Sequence, residues 1–323
     1  MLVLDRRQAG QEASSAAAGL LAPSDPETPI ALRPLAFESA RLFPDYVQKL
    51  ESSSGMKVDF RRQGTISFLE GSVVPPQYSR LSSEELSRLE PALAPRGRAA
   101  FFVREQTVDP ALLVSAAAAA AARGGVEIRG NSAVQEIRAK GTQIEVVCGP
   151  ERLQAPAVVN CRGAWSGSPV RPRKGQSLYV QPKRSGLLQH VVVGSEVYMV
   201  PRSSGKVLIG ATVEDVGYDK TVEPETIQSL YRAAGELAPG LASASITESW
   251  AGLRPGTPDD LPLLGETETP GVFIASGHFR NGILLAPVTA HIVADLIAGK
   301  RPPMDISTFS PLRFVTARPG LSK

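Results

Sequence analysis

The chain has 323 residues, 42% of them hydrophobic and 21% charged. That is long enough for one large domain or two ordinary ones and excludes an intrinsically disordered chain. Its 35 Lys+Arg against 32 Asp+Glu leave a net charge of only +3, with no basic cluster that interleaves aromatics, so a nucleic-acid partner is not expected.

The chain opens inside a strand, Leu2 to Leu4, which ends in Asp5. Small residues, Ala16 to Gly19, follow a loop and allow close approach to a ligand or a neighbouring helix. Residues 29–50 carry the apolar spacing of a helix, with Pro44 expected to kink or break it. Residues 58–69 alternate like a strand pair. Ser82 with Glu85 three residues on predicts a capped helix start. Asp109-Pro110 caps a helix over 111–123 that stops at Gly124-Gly125, and its alanine run suits close packing on a sheet.

A strand at 126–128 is followed by a hairpin, 133–137 with 143–148, turning at Lys140-Gly141. Residues 157–160 are another short buried strand. Sheet is expected over 177–193, 197–201 and 206–213, a helix over 226–237 and a strand over 246–250. Near the end, a strand-like run, Gly271 to Ser276, leads into a Gly/Asn loop holding Arg280. An apolar helix over 286–298 follows, with Pro287 near its start and Gly299 past its end. Strand, glycine loop and helix N-terminus together form a place where backbone can approach a phosphate or an electron-rich ring.

Several features have competing readings. Asp5 at a strand end could receive a ribose hydroxyl, or be a solvated acid. Arg254 before Pro255 could fork onto a carboxylate, or pair internally with Asp259 or Asp260. Tyr198 in an apolar strand could be core or functional. The glycines of 205–212 imitate a phosphate loop without its Gly-Lys-Ser/Thr end and are rejected as one. His190 and His291 read as structural, whereas His278 shares the loop with Arg280. Cys148 and Cys161 form no CxxC motif and read as buried free thiols in a reducing compartment. No metal site, Ser-His-Asp arrangement or paired-carboxylate constellation is evident. No secretory h-region follows Met1, and the apolar segment 283–298 is too short and interrupted to span a bilayer, so a cytoplasmic protein without a membrane partner is expected.

Three motifs in order, Ser14-Ser-Ala-Ala-Ala-Gly-Leu-Leu-Ala-Pro23, Trp250-Ala-Gly-Leu-Arg-Pro-Gly-Thr257 and Gly277-His-Phe-Arg-Asn-Gly-Ile-Leu-Leu-Ala-Pro287, resemble the glycine oxidase branch of the D-amino-acid oxidase superfamily. The likeness runs from Leu2 to about Pro302. It implies an α/β, two-domain fold: a Rossmann-like FAD domain made of 1–33, 102–168 and 249–323, and an antiparallel-sheet substrate domain made of 34–101 and 169–248. It also implies FAD-dependent oxidation of glycine or a related small amine to the oxo acid, ammonia and hydrogen peroxide, with oxygen as co-substrate. A role in thiamine biosynthesis and a homotetramer are part of the same implication. Sarcosine and D-amino acids are the rival substrates, and a flavin-free binding module is the alternative outside enzymes.

Residue by residue, the resemblance gives Asp5 and Arg6 to the ribose, and Ala13, Ser14, Ala18, Gly19 and Leu20 to the loop lining the flavin. Val134 falls to the adenine, and His278, Phe279, Arg280, Asn281, Gly282, Ile283 and Leu284 to the loop under the flavin pyrimidine. Tyr198, Arg254 and Arg280 receive the substrate carboxylate, and no side chain is needed as acid or base. The family's opening strand, Gly-rich loop and helix are not in this sequence, so weak FAD binding and lower stability are expected of the chain as written.

Overall fold

The computed structural model describes residues 1–69 and 74–314. Its largest element is an eight-stranded sheet. In chain order the strands are β1 (Thr65–Ser67), β2 (Ser79–Leu81), β3 (Ala100–Val103), β4 (Arg171–Gln181), β5 (Val191–Val193), β6 (Tyr198–Pro201), β7 (Val207–Gly210) and β8 (Ser245–Gly256). They lie in the order β8-β4-β7-β6-β5-β1-β3-β2. Every neighbouring pair is antiparallel except β5 with β1, so the antiparallel sheet expected from the resemblance contains one parallel junction.

The helices are α1 (Ala13–Ala16), α2 (Arg33–Ser54), α3 (Ser83–Leu89), α4 (Pro110–Arg123), α5 (Pro224–Leu237) and α6 (Gly282–Ile297). One face of the large sheet is apolar. Ile66, Leu178, Val192, Met199 and Ile209 stand on it and bury against Ile227, Leu230, Ala234 and Leu237 of α5 and Leu86 of α3. The spacing 227, 230, 234, 237 is one stripe of a helix, which is why α5 docks by that side. Burial of each such side chain is worth about 1.5–3 kcal/mol.

A second core joins α2, α4 and α6 through Leu35, Phe43, Leu113, Leu284, Leu285 and Ile292. Smaller sheets flank it. Leu2–Leu4 pairs in parallel with Glu127–Arg129, and Val158–Asn160 pairs in parallel with Val272–Ser276. Gln106–Val108 holds both Leu20–Leu21 and Phe60–Arg61 antiparallel.

Local signals determine many of these elements. Ser82 and Glu85 form the reciprocal capping box on α3, and Asp109 accepts from the backbone of Ala111 and Leu112 at the start of α4. Other expectations are corrected. α2 runs unbroken through Pro44, because Phe43 and Val47, on either side of it, are both anchored in the second core. Residues 58–69 are not a mutual pair: Phe60–Arg61 and β1 belong to different sheets. The run 177–193 is interrupted after β4, where Pro182 cannot donate to a ladder, and sheet resumes only at Val191. α6 starts at Gly282, four residues before the expected start, with Pro287 inside it. The cysteines are free, but Cys148 is only half-buried, and Cys161 keeps exposed area although burial pushes its thiol up to about 11.

Between β3 and Gln106–Val108 the chain turns through Glu105, whose side chain lies inside the molecule and leaves Oε1 without a partner among the described residues. Burial pushes its carboxyl up to about 8, against the opposing pull of hydrogen bonds from Thr65 and the Ser24 backbone. The folded protein therefore keeps a proton that the unfolded chain releases near 4.5. This contribution to stability is complete below the unfolded value and is lost as pH rises through about 8. Glu105→Gln should leave stability at about pH 4 nearly unchanged and raise it by up to about 4 kcal/mol at about pH 9, as read by denaturant unfolding.

Candidate active site

The other face of the large sheet carries two of the sequence-predicted residues, Tyr198 and Arg254. Trp250 lies opposite Ser177, Ser177 opposite Gly210, Gly210 opposite Tyr198, and Tyr198 opposite Val193. Directly opposed residues in a ladder share a face, and residues two apart on one strand do too. Trp250, Arg254, Gly175, Ser177, Gly210 and Tyr198 therefore stand on one surface although the sequence scatters them over 80 residues. At two positions on this surface the space above the backbone is already taken by a neighbouring side chain. A Cβ at Gly175 would meet the Arg254 guanidinium at 2.2 Å, and one at Gly210 would meet the Tyr198 hydroxyl at 2.6 Å. The two glycines are the floor over which these polar groups extend.

Arg254 does not form the internal ion pair considered from its sequence. Its Nη1 donates to the carbonyl of Thr212 at 3.0 Å and to that of Lys174 at 3.5 Å, while Asp259 is taken by Arg313. Among the described residues no carboxylate lies within ion-pair distance of Arg254. Its half-buried charge rests on two carbonyl dipoles, and its remaining N–H groups are available to an anion.

The Ala16–Leu20 segment crosses this face. Ala18 packs with Val191, Val200 and Leu208. Trp250 Nε1 donates to the Ala16 carbonyl at 3.2 Å, and the buried Arg202 donates to the carbonyls of Ala18 at 2.7 Å and Val108 at 3.2 Å. Gly19 sits at φ +74°, where a Cβ would lie 1.9 Å from the Val108 carbonyl oxygen. Ala13 and Ser14 lie in α1, just before this crossing.

The second loop, His278 to Asn281, forms a short 3-10 turn before α6. Arg173, the cross-strand partner of Arg254, places its guanidinium 5.8 Å from the Phe279 ring centre, and Arg280 lies 5.4 Å from the same ring. Arg280 is also in contact with Glu27, so it is a paired cation, unlike Arg254. His278 Nε2 lies 3.1 Å from Thr289 Oγ1. The residue keeps some exposed area, but its imidazole is enclosed, and burial pushes it down to about 4, so it is neutral at physiological pH. No side chain caps α6 at Asn281. The first-turn amides of Gly282, Ile283 and Leu284 thus present N–H groups and the positive end of a helix dipole to whatever lies beyond.

Asp5 closes the Leu2–Leu4 strand and accepts from the Arg7 amide. Arg6 stacks 4.1 Å over the Trp165 ring, which in turn stacks on Tyr218. Val134 opens the strand Val134–Lys140, and its carbonyl accepts from Arg162 at 3.3 Å. A groove of about 620 Å³ between α2 and β2–β3, bordered by Phe37, Arg41, Gln77 and Arg104, contains none of the predicted site residues.

Residues 1–296 match the family model DAO, FAD dependent oxidoreductase. The chain belongs to this family. It is 34% identical to the bifunctional protein ThiO/ThiG of a Synechocystis species, over 96% of this chain and 49% of that one. It is 32% identical to the glycine oxidase of Geobacillus kaustophilus, over 97% of this chain and 90% of the relative. The crystal structure of a glycine oxidase from the same organism superposes with a TM-score of 0.91, at 32% identity, covering 99% of this chain and 92% of that one. The chain spans about half the length of the bifunctional relatives it matches. The mixed α/β fold expected from the sequence is that of this family.

The residues present fit a flavin in three respects: a bare-backbone crossing at Gly19, an uncapped helix N-terminus after Asn281, and a floor without side chains at Gly175 and Gly210. Arg202 and Lys174 escaped sequence reading. A lone basic residue in a strand carries no signal of burial, although isolated glycines such as Gly175 do signal close approach. Gly19→Ala should cost several kcal/mol, about 1–2 from the left-handed backbone and the rest from the clash with Val108, and should lower Tm in a thermal melt of the FAD-free protein.

Proposed function

We propose that this chain oxidises glycine or a closely related small amine with bound FAD and molecular oxygen, yielding the oxo acid, ammonia and hydrogen peroxide. The observation that carries this reading is the un-neutralised Arg254 on the same sheet face as Tyr198, the two side chains extended over Gly175 and Gly210 respectively. A planar guanidinium and a phenolic hydroxyl on one face suit a carboxylate.

Bound FAD would supply the two-electron acceptor chemistry. The protein's part is positional. Arg254 and Tyr198 would hold the carboxylate, directing the α-carbon toward the cofactor loops. The helix dipole at Gly282 would favour negative charge developing nearby. Arg280, in exchange with Glu27, would make a second contact with the carboxylate or its approach path. Neutral His278, fixed by Thr289, would not compete for it. No acid or base is required when the amine binds unprotonated.

We assign Asp5, Arg6 and Val134 to the nucleotide end of the cofactor. Ala13, Ser14, Ala18, Gly19, Leu20 and the loop from His278 to Leu284 fall to its flavin end. In this reading residues 1–33, 102–168 and 249–323 form the cofactor domain, and 34–101 with 169–248 the substrate domain. The likeness to the bifunctional ThiO/ThiG proteins supports a role in supplying the glycine-derived imine for thiamine biosynthesis. A cytoplasmic homotetramer is the proposed assembly.

Flavin-loaded protein given glycine should consume oxygen and release peroxide. Arg254→Ala should raise KM roughly 100-fold, matching loss of about 3 kcal/mol from a charge-assisted pair, with flavin still bound. Flavin-loaded protein that makes no peroxide from glycine, sarcosine or D-proline would refute the oxidase reading. An unchanged KM would remove Arg254 from the carboxylate role.

A further inference from the structure

Lys174 has no solvent exposure, yet it sits in the middle of β4. Its neighbours in the strand, Arg173 and Gly175, stand on the active-site face, so pleat alternation sends Lys174 to the opposite one. There its Nζ lies 3.3 Å from Glu214, 3.7 Å from Asp219 and 3.8 Å from Glu223, at ion-pair distance but outside hydrogen-bond geometry. Three carboxylates around one buried ammonium neutralise it fully. Arg254, one strand away, has none.

The segment after β7 is fastened to β4 by these contacts. Lys174 and Glu214 exchange both backbone hydrogen bonds at 2.9 Å. The Gln176 amide donates to Thr212 Oγ1 at 3.0 Å, and Gln176 Nε2 donates to Glu214 Oε1 at 2.9 Å. Thr212 Oγ1 also donates to Glu214, and the Glu223 amide donates to Gln176 Oε1 at 2.7 Å. Burial pulls the Glu214 carboxyl upward. Thr212, Gln176 and the charge of Lys174 outweigh it and hold the group below its usual range. The two carbonyls that receive Arg254 belong to Thr212 and Lys174 themselves. The guanidinium therefore rests on the segment that Lys174 and Glu214 pin in place.

We propose that Lys174 is a positioning residue for substrate binding: through its ion pair with Glu214 it fixes the carbonyls that aim the Arg254 guanidinium at the substrate carboxylate. This rests on the carboxylate role of Arg254. Neutralising Lys174 leaves the charged, half-buried Glu214 without its counter-ion. That carboxylate then draws the 212–214 segment toward water and takes the Thr212 carbonyl with it.

The test compares the flavin-loaded wild type, Lys174→Met, Lys174→Gln and Arg254→Ala. The neutral Lys174 variants should raise KM for glycine about tenfold or more and weaken acetate binding, measured calorimetrically, by a similar factor, with kcat within about twofold of wild type. Lys174→Met combined with Glu214→Gln, which removes the orphaned charge, should recover most of that affinity. A role in stability alone would lower Tm and leave KM and acetate affinity unmoved, and that result overturns the proposal. Lys174→Gln, which can still donate to Glu214, decides in the same way if Lys174→Met does not fold. Should Arg254→Ala itself keep the wild-type KM, the carboxylate reading fails. Should it raise KM while the Lys174 variants do not, only the positioning role fails.

Discussion

The alternation of side chains across the eight-stranded sheet is the constraint on which the rest of the molecule depends. A one-residue slip between β4 and β8 would send Arg254 to the α5 face and bring an apolar neighbour to the active-site face. The register is held by more than its own ladder. On one side Leu178, Met199 and Ile209 must remain under α5, and on the other Trp250 must reach the Ala16 carbonyl. These two demands select the same pairing, so the hydrophobic effect that stabilises the sheet also aligns its polar residues. Burial of an apolar stripe, which is indifferent to chemistry, thereby places a tyrosine and an arginine on one face.

Electrostatics divides the same sheet into two regimes. On the α5 side, Lys174 is surrounded by acids and its charge is spent internally. On the open side, Arg254 has carbonyl dipoles for support and no acid partner among the described residues, so its attraction for an anion is undiminished. Arg280 is intermediate: it is partly exposed and engaged with Glu27. An ion pair at such a position is worth little in water, about 1 kcal/mol or less, and a substrate carboxylate can exchange with it at small cost. Arg254 and Arg280 therefore differ in kind. In the proposed reading one is a fixed anchor, and the other is a contact that must first be released.

How far all this could be read from the sequence depends on the range of the interaction involved. α3 and α4 were legible because their signals are local: Ser82 with Glu85, and Asp109 followed by proline. The extent of α2 was less so, since whether Pro44 breaks a helix depends on the buried Phe43 and Val47 beside it, not on the proline. Residues 58–69 alternate correctly for strands, but alternation names a face and not a partner, and the two strands joined different sheets. The candidate site shows the same limit more sharply. Tyr198 and Arg254 could be named through a family likeness. That they share a face follows only from the ladder 250-177-210-198, which links segments far apart in the chain. Lys174 was invisible, because a lysine in a strand reads as solvated until three acids from a distant loop and helix cap are brought around it.

The glycines of the site explain why so open an arrangement is stable. Gly175 and Gly210 give the sheet no side chains at the point where Arg254 and Tyr198 need space, and a sheet weakened there by missing contacts must be supported from elsewhere. The support comes from behind. Lys174 and Gln176, which flank Gly175 in sequence, tie β4 to the segment following β7 through Glu214 and Thr212. Above, Arg202 secures the Ala18 carbonyl and so holds Gly19 in its left-handed conformation against Val108. A buried cation thus stands behind each bare stretch of backbone. Both grip carbonyl-bearing segments that a side chain would have displaced, so the bare backbone at Gly175 and Gly19 depends on charges that stand behind it.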